Sequence, residues 1–239
     1  MKDIILVGFG GHAKSVIDSI EKAGQYKIIG YTDVETGNEY RGYRYLGSDD
    51  VLQQYFDRGI KYAFISAGYM GKGDLRCRLY KKAKEIGYMF PAIVDVSAQI
   101  AVDVQIGEGC FVGKGAIINS DAMIGKMCII NSGAIVEHDC RVGEFSHISV
   151  GTVLCGNVKV GQSAFVGANA TVIQGRTVGN GCTIGAGEVM RINLEDNSMY
   201  CNNEIVKFSK RGGLNLEKHV PGEDVQHANR LFCGWSLGT

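Results

Sequence analysis

His138 stands in Val136-Glu137-His138-Asp139, an imidazole with a carboxylate on either side in sequence. That pairing has the chemistry of a general base, because a carboxylate can fix the tautomer of the ring and raise its basicity. His147 follows nine residues later. A second group of interest opens the chain, where the apolar run Ile4 to Val7 leads into Gly8-Phe9-Gly10-Gly11-His12-Ala13. Gly8-x-Gly10-x-x-Ala13 between a strand and a helix makes a tight turn that aims backbone N–H groups and a helix N-terminus at a phosphate. His12 at that terminus can face the phosphate or the group beyond it. Asp33 ends the next apolar run, twenty-three residues after Gly10, the position of an acidic nucleoside contact in dinucleotide folds. Gly68, followed by Met70-Gly71-Lys72-Gly73, forms a second loop on the same sheet edge. Other chemistries lack their parts: there is no Cys-x-x-Cys pair, no Gly-x-Ser-x-Gly elbow, and no third ligand to join His138 and His147 around a metal.

The element that must position His138 is a repeat. An aliphatic residue returns at every sixth position from Val94 to Ile184, sixteen times without a slip. Gly often follows it, as in Ile106-Gly107, Val142-Gly143 and Val166-Gly167, and the fifth position is often small, as at Ala98, Cys110, Ala134, Ser146 and Cys182. A period of six scatters aliphatic residues over all faces of an α-helix, which excludes an amphipathic helix. An inward β-branched residue, a turn-permitting Gly and a small second inward residue instead describe a short strand and a tight corner, repeated as a parallel β-helix. Each hexad is one wall of a prism, three walls make one coil, and the run forms about five coils stacked at roughly 4.8 Å. In that solid His138 lies at or beside a corner and points outward, while His147, half a coil on, projects from a different corner.

The residues before the repeat alternate strand and helix. Strands are expected over Ile4–Val7, Lys27–Thr32 and Lys61–Ala67. Helices are expected from Ala13 to about Ala23, after the cap Ser48-Asp49-Asp50, and from about Gly73 to Ile86. The division is 1–92 as an α/β domain, 93–192 as the β-helix and 193–239 as a C-terminal extension. About ninety residues suffice for one mononucleotide-binding half, not the two that NAD spans.

Lys plus Arg total 25 and Asp plus Glu total 25, so no global charge attracts nucleic acid or an acidic membrane. The opening apolar run is too short for a signal peptide or a membrane span, and the expected location is cytoplasmic. Of eight cysteines, Cys110, Cys128, Cys140 and Cys182 occupy the small hexad position, where they behave as buried apolar residues with reduced thiols.

The order Gly8-x-Gly10-Gly11-His12, then Glu137-His138-Asp139-Cys140-x-Val142-Gly143-Glu144-Phe145-Ser146-His147-Ile148, then Gly156-Asn157-Val158-x-Val160-Gly161, resembles the bacterial sugar acetyltransferases that include PglD and NeuD. The resemblance spans about residues 2–192. It implies a left-handed β-helix, a departure from the usual right-handed crossover, and a homotrimer with acetyl-CoA between neighbouring helices. It also implies an N-terminal half-Rossmann domain holding the nucleotide of an activated amino sugar. Carried over by motif, His138 is the base and Asp139 the carboxylate that raises its basicity. His147, Ala168 and Ala186 contact acetyl-CoA, Gly10, Gly11 and His12 line the phosphate side, Asp33 meets the nucleoside, and Gly68 gives a third substrate contact. No metal is expected. Direct transfer through a tetrahedral intermediate needs an oxyanion donor, for which the Gly156 N–H or a neighbouring one is the candidate.

The implied function is acetyl-CoA-dependent N-acetylation of a nucleotide-linked amino sugar, of UDP-4-amino-4,6-dideoxy type, in surface-glycan biosynthesis. O-acetylation of a sugar such as sialic acid competes, because one base serves an amine or a hydroxyl. Outside that class stand a non-catalytic sugar-nucleotide-binding scaffold and an oxidoreductase holding NAD on the glycine loop. The chain departs from the family at its C-terminus. Tyr200-Cys201-Asn202-Asn203-Glu204 replaces the usual Gly-x-Pro-Ala-Lys-like turn, and about thirty-five residues follow. Val225 to Phe232 reads as a short helix, with Leu231, Phe232 and Trp235 packing an arm on the β-helix or a neighbour.

Overall fold

A computed structural model describes residues 1–34, 40–69, 74–208 and 214–215. The chain opens with β1 (Lys2–Val7), α1 (Gly11–Ala23), β2 (Tyr26–Thr32), β3 (Tyr45–Gly47), α2 (Leu52–Asp57), β4 (Tyr62–Ile65) and α3 (Asp74–Ile86). The four strands form one parallel sheet in the order β3-β2-β1-β4. α1 forms because Ala13, Val16, Ile17 and Ile20 fall on one buried face. Gly24 ends it in the left-handed region, φ 64°, donating its N–H to Ile20 O. Ser48 caps as expected, its Oγ accepting the Asp50 N–H at 3.4 Å, although a 3₁₀ turn, Asp49–Val51, comes before α2. β3 was not among the expected strands. Its three partly exposed residues are too few to show an alternation.

From Ile93 the chain winds into a left-handed parallel β-helix. Every strand is two residues long, the first facing out and the second in, and pairs with the strand eighteen residues away. The inward residues and the small position before each strand make one continuous core. Cys110, Cys128, Cys140 and Cys182 are 0% exposed within it, and the described cysteines are free thiols.

The outward residues give each wall its own chemistry. The first wall presents Ile93, Phe111, Ile129, His147 and Phe165, all buried beneath the α/β region. The second presents Ile117, Ile135, Val153, Thr171 and Val189, partly exposed and largely aliphatic. The third presents Gln105, Met123, Arg141, Lys159 and Thr177, exposed and mainly polar.

The α/β region is fastened to the first wall at both of its edges. On one side Ser19 Oγ donates to Asp95 at 2.6 Å and Lys114 pairs with Asp18. On the other, Tyr80 and Lys84 reach Glu108 at 2.6 and 2.7 Å. Met127 and Phe145 occupy corner positions with φ 60° and 58°, where other corners place Gly, Asn, Asp or Ser. Left-handed backbone costs such side chains on the order of 1–2 kcal/mol. Both insert into the core shared with Tyr80, Tyr88 and Phe90, and this packing offsets the strain.

After the last coil, Ser198–Cys201 extends the first wall and Glu204–Phe208 turns back against it. Asn202 and Asn203 make the two-residue turn with φ 53° and 60°, a conformation Asn tolerates. The Met70–Gly73 loop and the Val225–Phe232 helix, with Leu231, Phe232 and Trp235, lie outside the described residues.

Candidate active site

His138 sits on the corner between the second and third walls, its side chain 56% exposed. Asp139 takes the left-handed corner conformation, φ 61°, and His138 Nδ1–H donates to its Oδ2 at 2.8 Å. That bond leaves the lone pair on Nε2, the nitrogen that faces away from the carboxylate. The hydrogen bond to Asp139, chiefly, holds the ring's pKa above its usual value against the cost of desolvation, with the charges of Asp139 and Glu137 adding to it.

One coil further along this corner lies Gly156. A Cβ there would stand 2.6 Å from His138 Nε2, so glycine is what lets the imidazole rest against the backbone. Gly156 O accepts Gly175 N–H at 3.0 Å. The N–H of Gly156 has no acceptor among the described residues, so a donor on a buried glycine and a lone pair on an exposed ring share one corner.

His147 is placed differently from the expectation. It lies on a wall strand, not a corner, and faces the α/β region with 7% exposure. Nδ1–H donates to Tyr69 O at 2.8 Å and Nε2 accepts from Asn131 Nδ2 at 3.2 Å. Burial pushes its pKa down to about 4, so the ring is neutral and both nitrogens are engaged. The reason is positional: nine residues is one and a half hexads, which carries a corner residue onto a wall. Ala168 and Ala186 occupy the corner between the first and second walls on successive coils, joined by Gly187 N–H donating to Ala168 O at 2.8 Å. That corner and the His138 corner are opposite edges of the second wall. One chain therefore does not bring His138 together with Ala168 and Ala186.

The substrate-side residues gather at the C-terminal edge of the sheet. Gly8 has φ 89° and its Cβ position is within 2.7 Å of Ala67, so only glycine makes this turn. A Cβ at Gly10 or Gly11 would meet nothing within 4 Å. The fold does not demand glycine there and leaves the backbone open. Gly10 caps α1 without a side-chain hydrogen bond, and the first turn has no acidic residue. An uncapped N-terminus of a thirteen-residue helix is suited to a phosphate. His12 packs edge-on against Phe111 and Gly68, and its Nε2 is buried without a partner among the described residues. Burial and the nearby Arg76 push its pKa to about 3, which makes it a neutral group. Asp33 accepts the N–H of Phe9 at 2.6 Å and of Val34 at 2.7 Å, tying the glycine turn to the end of β2.

Two residues not singled out from the sequence join this edge to the β-helix. Tyr69 donates its hydroxyl to Phe145 O at 2.5 Å and Ala164 O at 3.0 Å. Arg76, fully buried, donates to Ile65 O and Ala67 O at 2.7 and 2.6 Å and to Met127 O at 3.2 Å. The sequence carried a signal for the second: Arg76, Tyr80 and Ala83 share the buried face of α3. Among the described residues no group of three or more His, Cys, Asp or Glu could hold a metal ion, and no helix is long and apolar enough to cross a membrane.

Residues 3–83 match the PglD N-terminal domain, and residues 157–190 match the hexapeptide repeat of succinyl-transferase. A histidine-to-alanine mutant of GDP-perosamine N-acetyl transferase from Caulobacter crescentus, in complex with CoA and GDP-perosamine, is 34% identical with a TM-score of 0.79, over 84% of this chain and 93% of that one. PerB from Caulobacter crescentus in complex with CoA and GDP-perosamine is 35% identical with a TM-score of 0.78, over 83% and 93%. The acetyltransferase domain of PglB from Neisseria gonorrhoeae, in complex with acetyl coenzyme A, is 27% identical with a TM-score of 0.77, over 83% and 95%. No curated protein matches the chain in sequence.

Proposed function

We propose, because this chain belongs to the PglD-like sugar acetyltransferases, that it moves the acetyl group of acetyl-CoA to the amine of a nucleotide-linked amino sugar with His138 as base. The observation that carries this reading is the His138–Asp139 pair resting against Gly156, whose N–H is free among the described residues. Nε2 takes a proton from the attacking amine, and the Gly156 N–H meets the charge that develops on the thioester oxygen. The intermediate then collapses by expelling the CoA thiolate, and the imidazolium returns its proton to the sulfur. Residues 1–92 form the sugar-nucleotide side and residues 93–192 the coenzyme side.

On the substrate side, the open backbone at Gly10 and Gly11 and the N-terminus of α1 take the diphosphate. His12, being neutral, orients the ligand by shape and not by charge. Asp33 and Gly68 shape the nucleoside end. The relatives at 34–35% identity carry GDP-perosamine, so a GDP-linked sugar is the first candidate and the UDP-linked sugar the second. Ala168 and Ala186 contact the coenzyme from a neighbouring copy, and His147 braces the loop beside it.

The homotrimer rests on the second wall. It is the wall that is aliphatic yet not covered by the α/β region, and its two edges carry His138 and the Ala168–Ala186 corner. Packing this wall against copies of itself joins the two edges and completes the site. Ile135→Asp is expected to give a folded monomer by sedimentation with activity reduced by roughly 10² or more, since misplaced groups forfeit their effective molarity. A trimer of full activity would exclude this wall as the interface.

Asp139 sets the pH dependence. The base works when neutral, so activity falls as pH drops through the raised pKa of His138. Asp139→Asn removes the carboxylate that raises it. The acidic limb of kcat/KM is expected to move to lower pH, while the alkaline plateau falls by roughly tenfold as the base weakens. A limb that stays in place would separate Asp139 from the titrating group.

A thiol-release assay with acetyl-CoA and a panel of GDP-, UDP- and dTDP-linked 4-amino sugars, with sialic acid alongside, tests the reading. Turnover on one nucleotide-linked amino sugar is expected. Turnover on sialic acid alone would assign O-acetylation, and binding without turnover would assign a scaffold.

A further inference from the structure

The corner that carries His138 is electrically polarised along its length. At the coil of His138 and the two before it, this corner holds Glu137, Asp139, Asp121 and Asp103. At the coils beyond it, residues 155–158, 173–176 and 191–194 contain no acidic residue and two cations, Arg176 and Arg191. Arg176 is out of pattern. It occupies the position before the strand that earlier coils fill with Ala122, Cys140 and Val158, each 0% exposed. Arg176 itself is partly exposed, its Nε is buried without a hydrogen bond, and it pairs with no carboxylate among the described residues. An aliphatic stem can fill such a place while the guanidinium emerges at the surface. A cation held there without a counter-charge is open to an anion from elsewhere.

We infer that Arg176 is a coenzyme-binding residue that receives a phosphate of acetyl-CoA, with Arg191 adding to the positive potential one coil further on. The inference rests on the proposed base, because His138 fixes where the thioester lies. Acetyl-CoA carries its negative charge at the far end of the pantetheine arm from the thioester. With the thioester at His138, Arg176 lies two coils along the corner, about 10 Å, and Arg191 three coils, about 14 Å. The opposing corner of a neighbouring copy supplies Val150, Ala168 and Ala186, small and uncharged, on the same ascending coils. Glu188, the one carboxylate on these coils of that corner, accepts the N–H groups of Asn202 and Asn203, so the groove gains positive charge on the Arg176 side, in the direction in which the coenzyme becomes anionic.

Calorimetric titration of Arg176→Gln and Arg176→Lys with CoA, dephospho-CoA and pantetheine tests this, with thermal unfolding as the check on folding. Arg176→Gln is expected to weaken CoA binding by roughly tenfold or more, the share of a charge-assisted hydrogen bond, and to leave pantetheine binding unchanged. Arg176→Lys is expected to retain most of the affinity. A loss on dephospho-CoA equal to that on CoA would place the diphosphate at Arg176; a loss confined to CoA would place the 3′-phosphate there. An equal weakening of pantetheine and CoA, or no weakening of either, would overturn the assignment. Wild type that binds CoA without transferring acetyl groups would fail the proposed reaction and leave this assignment standing, whereas wild type that binds no CoA would end both.

Discussion

Replacing His138 with alanine is expected to lower kcat by roughly 10²–10⁴, the usual share of a general base, with affinity for acetyl-CoA little changed. The side chain is exposed and its hydrogen bond runs to an adjacent, equally exposed carboxylate, so its loss leaves no buried group unpaired and the fold is expected to hold. The amine of an amino sugar must lose a proton as it attacks a thioester, and among the described residues no other unengaged imidazole lies on the uncovered edges of the second wall. His147 cannot substitute, since both of its nitrogens are bound and burial keeps the ring neutral beneath the α/β region. Steady-state kinetics with and without added imidazole provide the check. Recovery of rate by exogenous imidazole is expected for a missing base, whereas an intact rate in the variant would refute the assignment.

Gly156→Ala is expected to be nearly as damaging. Its φ is not in the left-handed region, so alanine is compatible with the backbone and the coil should form. The added methyl, however, would stand 2.6 Å from His138 Nε2 and 2.7 Å from the neighbouring ring carbon, well inside contact distance. The ring must swing away from the position it takes beside the Gly156 backbone. Misplacing a reacting group by about 1 Å costs on the order of 10² in rate, and the methyl also obstructs approach to that N–H. The measurement is kcat together with CoA affinity and thermal unfolding. Loss of rate with normal unfolding is expected. An active Gly156→Ala enzyme would mean that the ring works in a different orientation from the one seen here.

The β-helix was legible because its inward residues keep one phase and one chemistry for the whole run from Val94 to Ile184, so no long-range information was needed. His138 was legible for the same reason, since its place in the hexad makes it an outward corner residue. The division of labour among the walls was also present one position before each aliphatic residue, where the first wall reads Ile, Phe, Ile, His, Phe and the third reads Gln, Met, Arg, Lys, Thr. It emerges only when every third hexad is grouped. What the local pattern could not carry is docking between distant segments. Met127 and Phe145 break the corner rule of small or turn-forming residues, and the reason lies 37 to 65 residues away in Tyr80 and Phe90. His147 looked like a second exposed imidazole until the α/β region covered it. β3 escaped because it is three residues long and its sheet partner, β2, supplies the geometry.

An amine, not a hydroxyl, is expected to accept the acetyl group. The most direct measurement is mass spectrometry of a GDP- or UDP-linked 4-amino sugar after incubation with acetyl-CoA and wild-type enzyme, before and after treatment with hydroxylamine. One added acetyl group per sugar is expected to survive the treatment, as an amide does. An acetyl group that hydroxylamine removes, as it removes an ester, or a nucleotide sugar that stays unmodified, would contradict it.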